Sequence, residues 1–231
     1  MSRMTLGDFH YTTGAAHVHL ERGTLDAFWP ELQRVVRFWK HHSSTLNAQI
    51  TALLATRGRL DEARAHLERL SREDLAQRPL RPGQIGILCY AAAAASALGD
   101  RARCELLYRE LTPFAERNAV DLVWFCFGSV AHFLGPLARA LGDMNAAAAH
   151  LETAVQRNAA CDFRTYAAHS RFELARTPAP AVQERRASLI DEAEDDAHEF
   201  DLRALLAGIG RARTELSLHS RANPARNRLH T

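Results

Sequence analysis

Leu141-Gly142-Asp143-Met144, with Leu134-Gly135 on one side and Ala147, Leu151 and Ala154 on the other, reads as the corner of a helical hairpin. Glycine at the end of an apolar helical stretch adopts the left-handed conformation without a Cβ clash and so stops the helix. The aspartate after it accepts hydrogen bonds from the free N–H groups of the next helix. Three other segments repeat the design: Arg22-Gly23-Thr24-Leu25-Asp26, Arg57-Gly58-Arg59-Leu60-Asp61-Glu62-Ala63 and Leu98-Gly99-Asp100-Arg101. Thr24, Asp100 and Asp143 are the expected caps. The corner glycines are 35, 41 and 43 residues apart. A period of that size in a helical chain means stacked helical hairpins.

Working outward from the corners, helical periodicity predicts five pairs and a final helix. The pairs are 8–22 with 25–40, 43–57 with 60–70, 84–98 with 101–117, 120–141 with 144–158 and 163–176 with 181–199. The last helix covers 201–218, and residues 219–231 are expected to be a disordered basic tail of a single domain. Pro79, Pro82 and Gly83 mark the end of a longer loop. In the second helices the core stripe is plain: Leu25, Phe28, Leu32, Val35, Val36 and Trp39 share a face, as do Leu60, Ala63, Leu67 and Leu70. No hairpin can bury both its apolar faces alone, so neighbours must stack. No strand is expected, since period-2 alternation is absent. Pro30 is expected near the start of a late-beginning helix, and Pro136 within a helix, where it removes the bond to the His132 carbonyl.

Composition narrows the function classes. The 231 residues are 47% hydrophobic but only 7% aromatic, with alanine runs at 91–95 and 146–149 that let helices approach closely. A net charge of +2 argues against a dedicated nucleic-acid binder. Lys40 is the sole lysine, so nearly all positive charge is arginine. Cys89, Cys104, Cys126 and Cys161 form no C-x-x-C pair and read as small buried hydrophobes of a reducing compartment. The N-terminus has no apolar signal-peptide core. The run Leu122 to Ala138 is too short for a span and reads as a central buried helix. A soluble, cytoplasmic protein is expected.

The corner-and-stripe pattern resembles the tetratricopeptide repeat. The fourth pair carries it best, through Gly135, Gly142, Ala147, Leu151 and Ala154; the second keeps Gly58, Ala63, Leu67 and Leu70, and the third Ala92, Gly99, Cys104 and Tyr108. The first keeps Ala16, Gly23, Phe28 and Leu32, while the fifth has Thr177-Pro178-Ala179-Pro180 in place of a corner glycine. The likeness covers about residues 9–200 and implies a right-handed all-α superhelix. A narrower likeness rests on Gly128 to Gly135, on Leu141-Gly142-Asp143, on His150-Leu151-Glu152-Thr153-Ala154 and on Arg171-Phe172-Glu173-Leu174-Ala175-Arg176. These are similar to the C-terminal helical-repeat region of large bacterial signalling ATPases, whose other parts are adenylate-cyclase-like or helix-turn-helix domains. That resemblance implies a regulatory module, either stand-alone or part of a larger protein with an ATPase or cyclase domain. The chain has no G-x-x-x-x-G-K-[ST] loop of its own.

No catalytic or cofactor motif stands out, so no enzyme, cofactor or metal is expected. The twelve histidines include no H-E-x-x-H and no i, i+4 pair. Gly208-Ile209-Gly210 lacks the rest of a dinucleotide fingerprint. The acidic stretch from Asp191 to Asp201 reads as a solvated face, or else as an electrostatic docking surface with the basic tail. The repeat's groove positions, carried onto this chain, are His10, His17, Cys89, Ser129, His132, His169, Phe172 and Arg176, with Ala48, Ala52 and Ala93 leaving space between them. A protein or peptide partner in that groove, contacted by His132, Phe172 and Arg176, is the first expectation. The second is a small-molecule sensor, which requires a closed apolar pocket with a few convergent polar groups. A helical-repeat RNA binder is third and disfavoured by the charge.

Overall fold

A computed structural model describes residues 5–39, 44–76, 83–121 and 125–222. The described residues form thirteen helices and one two-stranded sheet. Helices α1 (Leu6–Glu21) and α2 (Leu25–Trp39) make the first pair, and α3 (Ser44–Thr56) and α4 (Leu60–Leu67) the second. A short α5 (Arg72–Ala76) follows, then α6 (Gln84–Leu98) with α7 (Arg101–Leu111). The last pairs are α8 (Val130–Leu141) with α9 (Met144–Ala160), and α10 (Arg164–Ala175) with α12 (Arg186–Glu199) across the short α11 (Pro180–Gln183). The final helix, α13 (Arg203–Ala222), extends the helical chain past residue 218; residues 223–231 of the expected tail lie outside the described residues, as do 77–82 of the expected loop. Each pair packs on the next, α3 on α6, α6 on α8, α9 on α10, and α1 also touches α13.

The corners are built as the glycines predict. At Gly23, Gly58, Gly99 and Gly142 φ is positive, the N–H of the glycine bonds the carbonyl three residues back, and the next N–H bonds the carbonyl five back. That double bond closes the helix end. The same closure recurs at Asp162 and Asp201, whose φ values are 55° and 54°. Aspartate tolerates the left-handed region better than most residues, so these two corners escape a search for glycine. Asp100 caps α7 by accepting from the Arg103 N–H at 3.0 Å, and Asp143 caps α9 through Ala146 at 2.8 Å. Thr24 does not cap in this way: its hydroxyl turns back to His19 Nδ1, 2.8 Å away. Pro30 lies inside α2, whose first residue is Leu25, and Pro136 lies inside α8. At Gly135 a Cβ would run into Leu151, so α8 and α9 cross in close contact there.

One expectation fails. Helix α7 stops at Leu111 in a 3-10 turn over Thr112–Phe114, and the helix expected from residue 120 starts only at Val130. Between them lies an antiparallel hairpin of β1 (Asn118–Asp121) and β2 (Phe125–Ser129), with Val120 opposite Cys126, Asp121 opposite Phe125 and a bulge after Asn118. Val120, Phe125 and Phe127 favour a pleated, half-buried surface. Both faces of β2 meet protein, so the segment shows no polar alternation and reads as a continuous apolar run. Gly128, at φ +75°, then breaks the strand into α8.

Candidate functional site

The hairpin lies across the side shared by α1, α3, α6, α8 and α10, and three glycines bed it. Phe125 fills the place of a side chain at Gly14 of α1. At Gly86 of α6 a Cβ would sit 3.0 Å from the Val120 carbonyl and the Asp121 Cα. Gly128 itself lies so close to Asn158 of α9 and Tyr166 of α10 that a Cβ would be 2.7–2.9 Å from their side chains. Beyond the hairpin, the same side keeps a cavity of about 420 Å³. Val18, Leu53, Ala93, Phe133 and Leu202 give it apolar walls, and Tyr90, Phe127, Tyr166 and Phe200 supply rings. The Phe127 ring lies 4.7 Å from Tyr90 and 5.3 Å from His17, centre to centre.

Three polar links converge on this space. His17 Nε2 and the Tyr90 hydroxyl are 2.9 Å apart. His169 Nε2 reaches both carboxylate oxygens of Glu21 at 3.0 Å, joining α10 to α1 across 148 residues of sequence. His132 Nδ1 is 3.0 Å from Ser170 Oγ. Behind Ser170, Asn158 donates from Nδ2 to Ser170 Oγ at 3.2 Å and accepts the Ser129 N–H on Oδ1 at 2.8 Å. Ser170 donates in turn to the Tyr166 carbonyl. A further bond set fastens α8 to α10: Arg139 donates to Glu173 Oε2 at 2.5 Å and to the carbonyl of the same residue at 3.3 Å.

Burial decides the charges. Removal from water pushes the pKa of His17 and of His132 down to about 4, so both are neutral imidazoles near neutral pH. Burial also works against the imidazolium of His169, but the Glu21 carboxylate bonded to it prevails and holds its pKa above the usual value. Glu21 answers in kind: burial raises its pKa, His169 outweighs that, and the carboxyl ends below its usual value. Burial raises the phenols of Tyr90 and Tyr166, which stay protonated. The cavity thus holds one internally neutralised ion pair, two neutral imidazoles and two phenols, with the exposed Arg22 also on its lining.

Of the expected groove residues, His17, His132 and His169 come together here, with Ala52 and Ala93 beside them. The others stand elsewhere. Ser129 is fully buried, capping α8 at the Ala131 N–H. Cys89 is fully buried in the core with its thiol pKa pushed well up by burial, and Ala48 is core as well. Phe172 is buried against Gly208 of α13. Arg176, exposed, lies over the Phe172 ring and bonds Glu173 at 2.9 Å. His10 meets the edge of Phe9 and does not line the cavity. Sequence reading missed Glu21, Tyr90, Tyr166 and Phe127. A signal existed for Glu21, which follows His17 by four residues and so shares its helix face; Phe127 was hidden in the unread strand.

No family model, curated protein or solved structure matches this chain. Among the described residues no group of three or more His, Cys, Asp and Glu side chains is placed to hold a metal ion. Among them, too, no helix is long and apolar enough to cross a membrane. Five acids of the stretch on α12 make ion pairs: Asp196 and Glu199 bond Arg164, Asp196 and Glu192 bond Arg171, and Asp191 and Glu194 bond Arg213.

Proposed function

We propose that this chain is a non-catalytic, tetratricopeptide-like helical-repeat module that senses a small apolar molecule in its central cavity. In this reading the five pairs wind as a right-handed superhelix, and the first helices face inward around the ligand. The observation that carries it is the cavity of about 420 Å³, mainly apolar and ringed by aromatic side chains, on which a few fixed polar groups converge. Small-molecule sites have this size and make-up. An extended peptide, the other reading of the groove, competes with the chain's own hairpin for the same face, because Phe125 and Phe127 already pack on α1 and α6. The likeness to the helical-repeat region of bacterial signalling ATPases makes an ATPase or cyclase domain, in the same or another chain, the partner that would read the bound state.

The test uses the apolar dye N-phenyl-1-naphthylamine and two variants that fill the cavity, Ala93→Phe and Thr56→Trp. Titration of the native chain should show saturable 1:1 binding with enhanced fluorescence. Both variants, with helical circular dichroism retained, should lose it. Dye binding that is unchanged in both folded variants would sink the proposal.

A further inference from the structure

The hydrogen bonds behind the cavity fix where the proton of His132 lies. The backbone N–H of Ser129 can only donate, so the Asn158 atom facing it at 2.8 Å is the carbonyl oxygen. The amide NH2 of Asn158 then points to Ser170 Oγ and donates to it at 3.2 Å. Ser170 has one hydroxyl hydrogen, and it goes to the Tyr166 carbonyl at 2.8 Å. Towards His132, therefore, Ser170 Oγ has a lone pair to offer and no hydrogen, and the 3.0 Å contact is an Nδ1–H donated by the imidazole. A neutral imidazole protonated on Nδ1 carries its lone pair on Nε2. Nε2 of His132 makes no hydrogen bond with the described residues, and His132 lines the cavity.

The buried charges of the lining match each other. Glu21 and His169 neutralise each other at 3.0 Å. Arg22, which follows α1, is exposed to solvent and feels Asp201 only through its field, since that carboxylate bonds Arg203 with both oxygens. An ion drawn past this exposed arginine to the buried part beside His132 would lose its hydration there with no unspent counter-charge among the described residues. A neutral molecule with one donor meets no such cost and satisfies the open acceptor.

We propose that the cavity ligand is a neutral, flat, largely aromatic molecule that presents one hydroxyl or N–H donor to Nε2 of His132. This rests on the small-molecule reading above and adds the ligand's class and the residue that selects it. Ser170 and Asn158 act as positioning residues, holding the acceptor nitrogen toward the ligand side by occupying the other one.

Three probes of one size separate the possibilities: 2-naphthol, 2-methoxynaphthalene, which lacks the donor, and 2-naphthoate, which is charged. Calorimetric titration of the native chain at pH 7.5 should give 2-naphthol an affinity about fivefold to tenfold above 2-methoxynaphthalene, the range of one neutral hydrogen bond, with 2-naphthoate weakest. His132→Phe should bind both neutral probes equally. Ser170→Ala should shrink the preference while His132 remains. Without any ligand, the 15N shifts of the His132 ring should report Nδ1 protonated and Nε2 bare in the native chain, and a mixture in Ser170→Ala. Equal binding of the neutral probes, blocked by Ala93→Phe, would overturn the donor assignment and leave the cavity reading standing. Tightest binding of 2-naphthoate, lost in Arg22→Ala, would overturn the neutral class. A native chain with Nε2 protonated would overturn the proposal at its root, and a folded native chain that binds none of the probes would overturn it together with the cavity reading.

Discussion

The cavity has one wall on α8 and α10 and another on α1, and the two are held by different means. The α8–α10 wall is fastened from behind. Arg139 grips Glu173, and the chain Ser129–Asn158–Ser170–His132 crosses three helices through buried polar atoms. Gly135 lets α9 pack directly under α8. Helix α1 is backed by α2 through apolar packing, Phe9 and Ala16 lying buried in one cluster with Leu25, Leu32 and Val35. Tyr11, on its outer surface, is 74% exposed. Beyond α2 it is tied by Glu21 to His169, by His17 to Tyr90, by Gly14 against Phe125 and by the Thr13 carbonyl, which accepts from Gln49 at 2.8 Å. A site with one wall cross-linked by buried polar bonds and one held mainly by apolar packing can admit a ligand by shifting the second, α1 together with α2.

The sharpest way to break this contrast is at the hairpin, which touches both walls. Gly128→Val puts a branched side chain at φ +75° and into Asn158 and Tyr166. It should cost about 3–5 kcal/mol, from backbone strain and overpacking together, measured by urea unfolding. Next, Arg139→Met on the fixed wall leaves the half-buried Glu173 with only Arg176, and should cost about 2 kcal/mol. Glu21→Gln on the other wall leaves His169 able to shed its proton, so it should cost less, about 1 kcal/mol, while raising amide exchange along α1 and leaving α8 unchanged. A Glu21→Gln variant as unstable as Arg139→Met, or with faster exchange in α8, would show that the walls do not differ.

The pH profile sharpens the same comparison. His169 has a raised pKa, so the stability it draws from Glu21 is fully present below the unfolded-state value of about 6.5 and is lost as pH rises through the folded value. The gap between native chain and Glu21→Gln should therefore narrow on going from pH 6 to pH 9. His17 and His132 are depressed, so their contribution is present above about 6.5 and is lost as pH falls towards about 4. The urea midpoint should fall over that lower window in the native chain, and less steeply in His132→Phe. The smallest effect belongs to the outer surface of α1, where Tyr11→Ser should change stability by less than about 0.5 kcal/mol.

The helical corners were legible because glycine at φ > 0 is a local requirement that one residue type satisfies. Asp162 and Asp201 make the same corner with a residue that has many other uses, so they carried no signal. Strand β2 was read as helix because its neighbours on both sides are protein, which erases the alternation that marks a strand at a surface. The three cavity histidines were found by carrying over groove positions of the repeat. Glu21 was not, because its role exists only once α1 meets α10. Phe172 and Arg176 sat at groove positions by register, yet α13 covers Phe172 through its close approach at Gly208. A residue's register on its own helix does not tell which later helix will reach it.

The bond between Glu21 and His169 also sets an order of assembly. Each helical pair closes over a few dozen residues at most, whereas this link closes a loop of 148. Loop closure on that scale carries an entropic cost that nearby contacts must offset first. During synthesis the early hairpins can stack while His169 is still unmade, so the compartment exists only after three quarters of the chain has emerged. A small molecule held inside it would then act on the finished fold alone, as a clasp added after the rest is in place.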